Sequence, residues 1–156
     1  VSSCATCDGF LYRNKPVVVV GGGDTAMEEA LVLARICSHV TLVHRRDTFR
    51  ASKVLAKAVL GHKKITVKWN TVIDRFDGSV TALQSTQLKS TKTGDVENLN
   101  VSAAFVAIGH IPNTWLFKGQ LDMADNGYLR TRADSTHCSV DGVFASGDVA
   151  DDAGRA

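Results

Sequence analysis

Two cysteines near the start of the chain have a spacing that supports redox chemistry. Cys4 and Cys7 stand in the segment Cys-Ala-Thr-Cys, and two thiols at this spacing can alternate between a dithiol and a disulfide. A zinc site would need a second close pair of ligands, whereas Cys37 and Cys138 are distant in sequence. Two inert buried thiols are another alternative. Asp8 follows Cys7 directly and could serve a thiolate as an acid–base group, although Asp-Gly is also a common turn.

A glycine-rich segment predicts a phosphate site between a strand and a helix. The β-branched run Val17–Val20 indicates a strand that is buried on both faces of a parallel sheet. It is followed at once by Gly-x-Gly-x-x-Ala, which is the Rossmann spacing. The next helix is expected to begin at Asp24 or Thr25 and to direct free N–H groups at a pyrophosphate. The predicted cofactor-binding residues of this segment are Gly21, Gly22, Gly23, Asp24, Thr25 and Ala26. Gly21 permits the tight turn, Gly23 lets the backbone come close to a pyrophosphate, and Ala26 lets the helix pack near the strand.

Cations at the end of the next predicted strand indicate which dinucleotide is bound. A carboxylate at that position accepts hydrogen bonds from ribose hydroxyls and would repel a 2′-phosphate. Here strand 40–43 is followed by His44, Arg45 and Arg46, with Arg50 close behind. Guanidinium groups pair with phosphate through charge-assisted hydrogen bonds. The segment therefore favours NADPH over NADH, the alternative being a tight turn followed by a solvated basic loop.

Length and composition narrow the class of protein. The 156 residues, 44% hydrophobic and 22% charged, fit an ordinary globular chain of one domain or parts of two. A net charge of +2 is too small to indicate a nucleic-acid partner, and no apolar stretch is long enough for a membrane span. Four cysteines with one close pair do not form a disulfide framework, so a reducing, cytoplasmic compartment is expected. Both ends of the sequence suggest part of a longer chain.

The remaining pattern predicts an α/β fold with an antiparallel addition. A helix is expected over 51–60, with Val54, Leu55 and Ala58 on its apolar face. The turn at 93–95 should join two antiparallel strands into a hairpin. Other strands are expected over 65–69, 72–76, 82–89, 96–101, 103–108, 127–129 and 143–146.

The end of strand 103–108 is a further candidate ligand site. Gly109 and Pro112 mark a loop there, and α/β sheets bind ligands at the carboxyl ends of their strands. Ile108 and Gly109 are therefore candidate cofactor-binding residues. His110 in the same loop is either a functional group or an ordinary polar residue. No metal site is predicted.

Three motifs together resemble a known family. Cys-Ala-Thr-Cys-Asp-Gly, Gly-Gly-Gly-Asp-Thr-Ala-Met-Glu-Glu-Ala and His-Arg-Arg-Asp-x-Phe-Arg-Ala occur in an order and spacing that resemble the low-molecular-weight thioredoxin reductases of bacteria, plants and fungi. The resemblance implies a Rossmann-like NADPH-binding domain over 1–112, with a central parallel sheet, helices and an antiparallel β-meander. It also implies that 113–156 is part of a second, FAD-binding domain, and that the protein is a homodimer.

The chain departs from the family pattern at a few positions. Asp141 stands where the family usually has Pro, Cys138 where Thr is more usual, and Ala153-Gly154 replaces bulkier residues. A second Gly-x-Gly-x-x-Gly, which would hold the FAD pyrophosphate, does not occur in this sequence.

The resemblance implies a path for electrons. NADPH would reduce FAD, the flavin would reduce a disulfide between Cys4 and Cys7, and the dithiol would reduce thioredoxin. By the family pattern Cys7 faces the flavin, Cys4 attacks the partner disulfide and Asp8 supplies a proton. Asp148, in a Gly-Asp that follows a predicted strand, would contact the flavin cofactor.

Other functions fit part of the pattern. One is the reductase component of an alkyl hydroperoxide system, and another is an NADPH-binding module without turnover. A short-chain dehydrogenase would need Tyr-x-x-x-Lys, but neither Tyr12 nor Tyr128 has Lys four residues later. Alone, this stretch of chain is expected to bind NADPH without catalysing disulfide reduction.

Overall fold

The chain forms two compact units. A computed structural model describes residues 1–109 and 111–150, and the contacts divide the chain into Val1–Ile108 and Gly109–Ala156. The assignment of 1–112 to an NADPH domain and of 113–156 to a FAD domain stays a prediction. His110 and the sequence departure at 153–154 lie outside the described residues.

The first unit contains two sheets. Its four-stranded sheet is parallel, as the Rossmann spacing predicted, and has the order β3-β2-β1-β7; its three-stranded sheet is antiparallel and has the order β4-β5-β6. The strands are β1 Pro16–Gly21, β2 His39–His44, β3 Ile65–Trp69, β4 Thr71–Gly78, β5 Leu83–Ser90, β6 Val96–Asn100 and β7 Ala103–Ala107. The helices are α1 Ala5–Asp8, α2 Asp24–Ile36 and α3 Lys53–Leu60.

Both faces of the parallel sheet are covered, which explains the unbroken valine run of β1. Val17 and Val19 pack into a core cluster with residues of the helices. Val18, between them, joins a second cluster with Leu88 and Val101 on the side of the antiparallel strands. Because successive strand residues point to opposite faces, every position of this strand needs an apolar side chain.

Helix α2 begins at Asp24, one of the two starting residues that the sequence predicted. Met27, Ala30 and Ala34 are buried against the sheet, together with Ala26 and Leu33. This apolar stripe at helical spacing fixes which face of the helix meets the sheet. The helix thereby holds its amino terminus at the carboxyl end of β1.

Helix α3 differs from the prediction. It runs over Lys53–Leu60, and the residue that it buries is Val59. Val54, which was expected on the apolar face, is 79% exposed, and Ala58 is also exposed. The sequence places apolar residues on more than one side of this short helix, so periodicity alone did not decide which side would meet the core.

The second unit contains less regular structure than predicted. The strands expected over 127–129 and 143–146 are reduced to isolated bridges, Met123 with Leu129 and His137 with Phe144. Leu129, Cys138 and Ala145 form a small buried cluster. The apolar residues of these segments therefore serve a local core without an extended ladder of strand pairs.

No helix among the described residues has both the length and the apolar character needed to cross a bilayer.

Candidate nucleotide cleft and redox turn

The turn between β1 and α2 contains three glycines with different surroundings. A Cβ atom at Gly21 would lie 2.3 Å from the carbonyl oxygen of Ala107 and 2.6 Å from the Cβ of Ala26. Only glycine therefore lets β1, β7 and the first turn of α2 approach this closely. Ala26 is itself buried in that contact, which accounts for the small residue in the third position of the motif.

Gly22 packs against the end of the neighbouring strand. A Cβ atom there would lie 2.1 Å from Cε1 of the His44 ring. The carbonyl oxygen of Gly22 accepts hydrogen bonds from the backbone N–H groups of Arg50, at 2.8 Å, and Ala51, at 3.2 Å. These contacts fasten the loop that follows β2 onto the glycine turn.

Gly23 is the N-cap residue of α2 and has open space around it. No atom lies within 4 Å of the position that a Cβ would take, and no side chain caps the helix. The free amides of the first turn and the positive end of the helix dipole are thus available to an anion. Asp24 and Thr25 in this turn are exposed, and Asp24 Oδ1 accepts a hydrogen bond of 2.6 Å from the Ser52 amide.

His44 lies beneath this turn. The residue is 7% exposed, and its Nε2 is 3.0 Å from the carbonyl oxygen of Thr48. Since a carbonyl only accepts, Nε2 is assigned the proton. Its ring contacts the rings of Phe49 and Trp69, with centroids at 5.7 and 6.1 Å.

Burial is the main cause that lowers the pKa of His44 below its ordinary value. The hydrogen bond to Thr48 opposes this shift, and the charges of the three nearby arginines lower the pKa further. The neutral ring is thus favoured at this position, where it can pack against Gly22 without adding a further positive charge.

The glycine turn and the arginines line one cleft of about 460 Å³ within the first unit. Arg45, Arg46 and Arg50 are exposed at its wall, and Ile108, 66% exposed, also lines it. Gly109 is exposed and has a φ of +91°. The cleft is lined by Val20, Gly21, Gly22, Val43, His44, Arg45, Arg46, Arg50, Thr71, Val72, Ile73, Phe76, Val106 and Ile108.

Strand β4 supplies a wall that sequence reasoning missed. Thr71, Val72, Ile73 and Phe76 line the cleft, although they belong to the antiparallel sheet. Phe76 is 41% exposed, and an aromatic residue among the charged residues of this strand was the one available signal. The local sequence pattern does not predict that Phe76 lines the same cleft as the arginines, because the packing of the antiparallel sheet against the parallel sheet determines where β4 lies.

The cysteine pair forms a disulfide at the start of α1. Cys4 and Cys7 are bonded to each other, and Cys4 is the N-cap of the helix, its Sγ accepting a hydrogen bond of 3.1 Å from the Cys7 amide. Cys7 is exposed and Cys4 is half-buried. Cys37 and Cys138 are free and buried. A bonded, accessible pair fits the redox interpretation better than two inert buried thiols.

Asp8 lies at the end of the same short helix and is half-buried. Its Oδ2 accepts a hydrogen bond of 2.6 Å from the Ser2 hydroxyl, which in turn accepts one of 3.0 Å from the Cys4 amide. The Ala5 amide donates to Glu29 Oε1 of α2 at 3.3 Å. The redox turn, which we define as residues 2–8, is therefore held by hydrogen bonds within itself and to α2.

Asp148 belongs to the second unit. It is exposed in the 3-10 turn Gly147–Val149. Seven predicted cofactor-binding residues line the cleft: Gly21, Gly22, His44, Arg45, Arg46, Arg50 and Ile108. Gly23 to Ala26 lie next to it in the chain, at the start of α2, and are not part of its lining. Cys4, Cys7 and Asp8 lie at α1 in the same unit, and Gly109 begins the second unit.

The first unit combines a parallel sheet with a glycine turn, an arginine-lined cleft and a disulfide, a combination that is typical of pyridine-nucleotide-linked redox proteins. The model of the pyridine nucleotide-disulphide oxidoreductase family matches residues 1–156, and the chain belongs to this family.

The relatives include thioredoxin reductases, as the resemblance predicted, and a protein of another name. A thioredoxin reductase of Rickettsia conorii is 48% identical over 97% of this chain and 49% of its own length. A thioredoxin reductase structure from Streptococcus pyogenes superposes with a TM-score of 0.85 at 35% identity, over 96% of this chain and 48% of the other. A Pseudomonas fluorescens protein named glucosaminate ammonia-lyase is 52% identical over 97% of this chain and 49% of its length. The chain spans about half the length of the curated relatives that it matches.

Proposed function

We propose that this chain is the nucleotide-binding and disulfide-bearing part of an NADPH-dependent thioredoxin-disulfide reductase. The single observation that carries the proposal is the presence, on one compact unit, of an accessible Cys4–Cys7 disulfide and of a cleft that joins a glycine turn to three arginines. The similarity to named thioredoxin reductases supports it.

The residues of the cleft and of the adjoining start of α2 fit NADPH. Gly23 leaves open space at the helix amino terminus, which suits close approach of a pyrophosphate. The exposed guanidinium groups of Arg45, Arg46 and Arg50 suit the 2′-phosphate. Ile108 would contact the nucleotide from the end of β7, with Gly109 beside it. When bound, NADPH supplies the hydride that leads to reduction of the disulfide.

FAD is a second proposed cofactor, and the support for it in this chain is narrower. Asp148 is exposed in its turn and is the residue that we assign to the flavin. The family resemblance supports this assignment.

The redox turn would exchange its disulfide with that of a partner. In the reduced state Cys4 is the attacking thiol, Cys7 closes the disulfide again, and Asp8 carries the proton. The partner that we propose is thioredoxin. We further propose that the full protein is a cytoplasmic homodimer, without a nucleic-acid or membrane partner.

The competing functions differ in the substrate that they predict. A reductase component of an alkyl hydroperoxide system would pass electrons to a different disulfide partner, and an NADPH-binding module would pass none. The 52% identity to the protein named glucosaminate ammonia-lyase favours a lyase as a further candidate. A lyase would release ammonia from an amino sugar acid without consuming NADPH, and the accessible disulfide would have no part in that reaction.

The test is an assay of the full-length protein with NADPH and thioredoxin. We expect reduction of thioredoxin with the wild type and none with Cys4→Ser, because the attacking thiol is missing. NADPH binding should be unchanged in that variant, since Cys4 does not line the cleft. Turnover of thioredoxin by Cys4→Ser, or ammonia release from glucosaminate by the wild type without NADPH oxidation, would contradict the proposal.

A further inference from the structure

Ser2 joins the two ends of the redox turn through one hydroxyl group. Its Oγ lies 2.6 Å from Asp8 Oδ2 and accepts a hydrogen bond of 3.0 Å from the Cys4 amide. Cys4 is the first cysteine of the pair, and Asp8 directly follows the second. A single side chain is therefore hydrogen bonded on both sides of the disulfide.

The main chain of Ser2 is fixed to the core. Its N–H donates to the carbonyl oxygen of Ala104 at 2.8 Å, and its carbonyl oxygen accepts from the Val106 amide at 2.8 Å. These bonds form a parallel bridge opposite Phe105, a fully buried residue of β7. The position of the hydroxyl is thus set by the central sheet.

The direction of the hydrogen bonds follows from the donors present. The Cys4 amide can only donate, so the Ser2 oxygen accepts from it. The single hydroxyl proton has two acceptors within reach, Asp8 Oδ2 at 2.6 Å and the Cys4 carbonyl oxygen at 3.5 Å. The much shorter distance assigns the proton to the Asp8 carboxylate, in a hydrogen bond of the charge-assisted kind. Because Asp8 and Ser2 are both half-buried, water would replace this bond less readily than at an open surface. Holding Oδ2 restricts the rotation of the carboxyl group.

We propose that Ser2 is a positioning residue of the redox turn, which acts by holding the carboxyl group of Asp8 beside the Cys4–Cys7 pair. The proposal rests on the proposed function, in which Asp8 carries the proton for disulfide exchange. Ser2 does not touch the sulfur atoms in this role; it acts through Asp8.

The exchange that Ser2 assists oxidises the Cys4–Cys7 dithiol and reduces the disulfide of the partner. Asp8 holds the proton given up by Cys4, and the Cys4 thiolate attacks one sulfur of the partner disulfide, which breaks as a mixed disulfide forms. The released partner thiolate takes the proton from Asp8. The Asp8 carboxylate then removes the proton of Cys7, whose thiolate attacks Cys4 Sγ and restores the Cys4–Cys7 disulfide. That proton leaves with the second partner sulfur, so two electrons and two protons pass from the dithiol to the partner.

The test measures disulfide exchange in the full-length protein. The protein is reduced with dithiothreitol, freed of reductant, and mixed either with oxidised thioredoxin or with the small disulfide 5,5′-dithiobis(2-nitrobenzoate). We expect Ser2→Ala to slow the exchange about tenfold, which corresponds to loss of one charge-assisted hydrogen bond. Ser2→Thr should keep most of the rate, because threonine retains the hydroxyl. Ser2→Val has the shape of threonine without the hydroxyl and should be as slow as Ser2→Ala. Ser38→Ala is the matched control at an exposed serine outside the redox turn and the cleft, and its rate should equal that of the wild type.

A double-mutant cycle separates positioning from a merely structural role. If Ser2 acts through Asp8, the variant with both Ser2→Ala and Asp8→Asn should be no slower than Asp8→Asn alone. The proposal would be overturned if Ser2→Ala slowed the exchange equally in the wild type and in Asp8→Asn, or if Ser2→Val exchanged disulfides at the wild-type rate. These rates require no NADPH, so a wild type that exchanges disulfides but does not oxidise NADPH would refute the proposed function and leave this inference standing.

Discussion

At the scale of single residues, adjacent glycines in one turn have separate reasons to be glycine. Gly22 is required by the fold, since a side chain there would overlap the buried ring of His44. Gly23 has no such neighbour, and its small size is useful only to something that approaches from outside. The motif therefore combines one position that the protein's own packing demands with another that a ligand would demand.

This contrast predicts different results for two alanine substitutions. Gly22→Ala should lower the free energy of unfolding by about 1–3 kcal/mol, as overpacking in a closed site does, because His44 is held by Phe49, Trp69 and the carbonyl of Thr48. Gly23→Ala should cost about 1 kcal/mol or less, the ordinary range for an N-cap change, but should weaken NADPH binding about tenfold or more by blocking the pyrophosphate.

Urea unfolding and calorimetric titration of the two variants measure these effects side by side. A Gly23→Ala protein that binds NADPH as tightly as the wild type would mean that the helix amino terminus is not the pyrophosphate site. A Gly22→Ala protein of unchanged stability would mean that the His44 ring can move at little cost.

At the scale of elements, the loop after β2 is the feature on which nucleotide choice depends. Its backbone is fastened to the glycine turn through the Gly22 carbonyl, and at its other side the Asn70 amide donates to the carbonyl oxygen of Arg46 at 3.1 Å. The arginine side chains are exposed while the backbone that carries them is held. Such an arrangement loses less entropy on binding an anion than a free loop would.

We expect this chain to bind NADPH roughly a hundredfold more tightly than NADH, since each charge-assisted hydrogen bond to the 2′-phosphate contributes about 1.5–3 kcal/mol. Arg46→Ala should reduce that preference and leave NADH binding unchanged. Arg35→Ala makes the same change of charge on the exposed end of α2, outside the cleft, and should preserve the preference. Calorimetric titration of the wild type, Arg46→Ala and Arg35→Ala with each nucleotide measures the affinities. Equal affinities in the wild type would show that the arginines are not phosphate ligands.

At the scale of the whole molecule, the division into two units separates the predicted sites. The cleft and the disulfide belong entirely to Val1–Ile108, whereas Asp148 belongs to Gly109–Ala156. The first unit includes β7, which pairs with β1, so its sheet is complete without the second unit.

A shortened chain that ends at Ile108 should therefore fold and keep the nucleotide preference of the longer one. Removal of Gly109, a proposed cofactor-binding residue, should weaken both nucleotides alike. Titration with NADPH and NADH should therefore give a ratio of affinities within about threefold of that of the 156-residue chain. Circular dichroism checks that the shortened chain is folded. A folded chain that has lost its NADPH preference would show that residues beyond 108 contribute to the nucleotide site.

Much of the first unit could be predicted because its signals are local. The valine run and the Gly-x-Gly-x-x-Ala spacing each lie within a few residues, and the structure has β1 and the start of α2 where they indicated. The cysteine spacing likewise placed two thiols within bonding reach in one turn. Such features depend on backbone geometry between near neighbours, which the residue types largely determine.

Other features depend on residues that are distant in sequence. The buried side of α3 was decided by what the helix meets, so Val59 is buried and Val54 is not. The position of β4 at the arginine cleft likewise depends on how the two sheets of the first unit pack. The segments around Leu129 and Phe144 form single bridges in place of the expected strands, because their pairing also depends on residues distant in sequence.

The sequence by itself thus determined the chemistry available to this protein: a thiol pair, an open helix terminus and a cluster of cations. Only the tertiary structure decided that His44 packs beneath Gly22 and that Ser2 is hydrogen bonded to Asp8. Periodicity and spacing report on neighbours along the chain, whereas these contacts arise from the packing of separate strands and turns around one core.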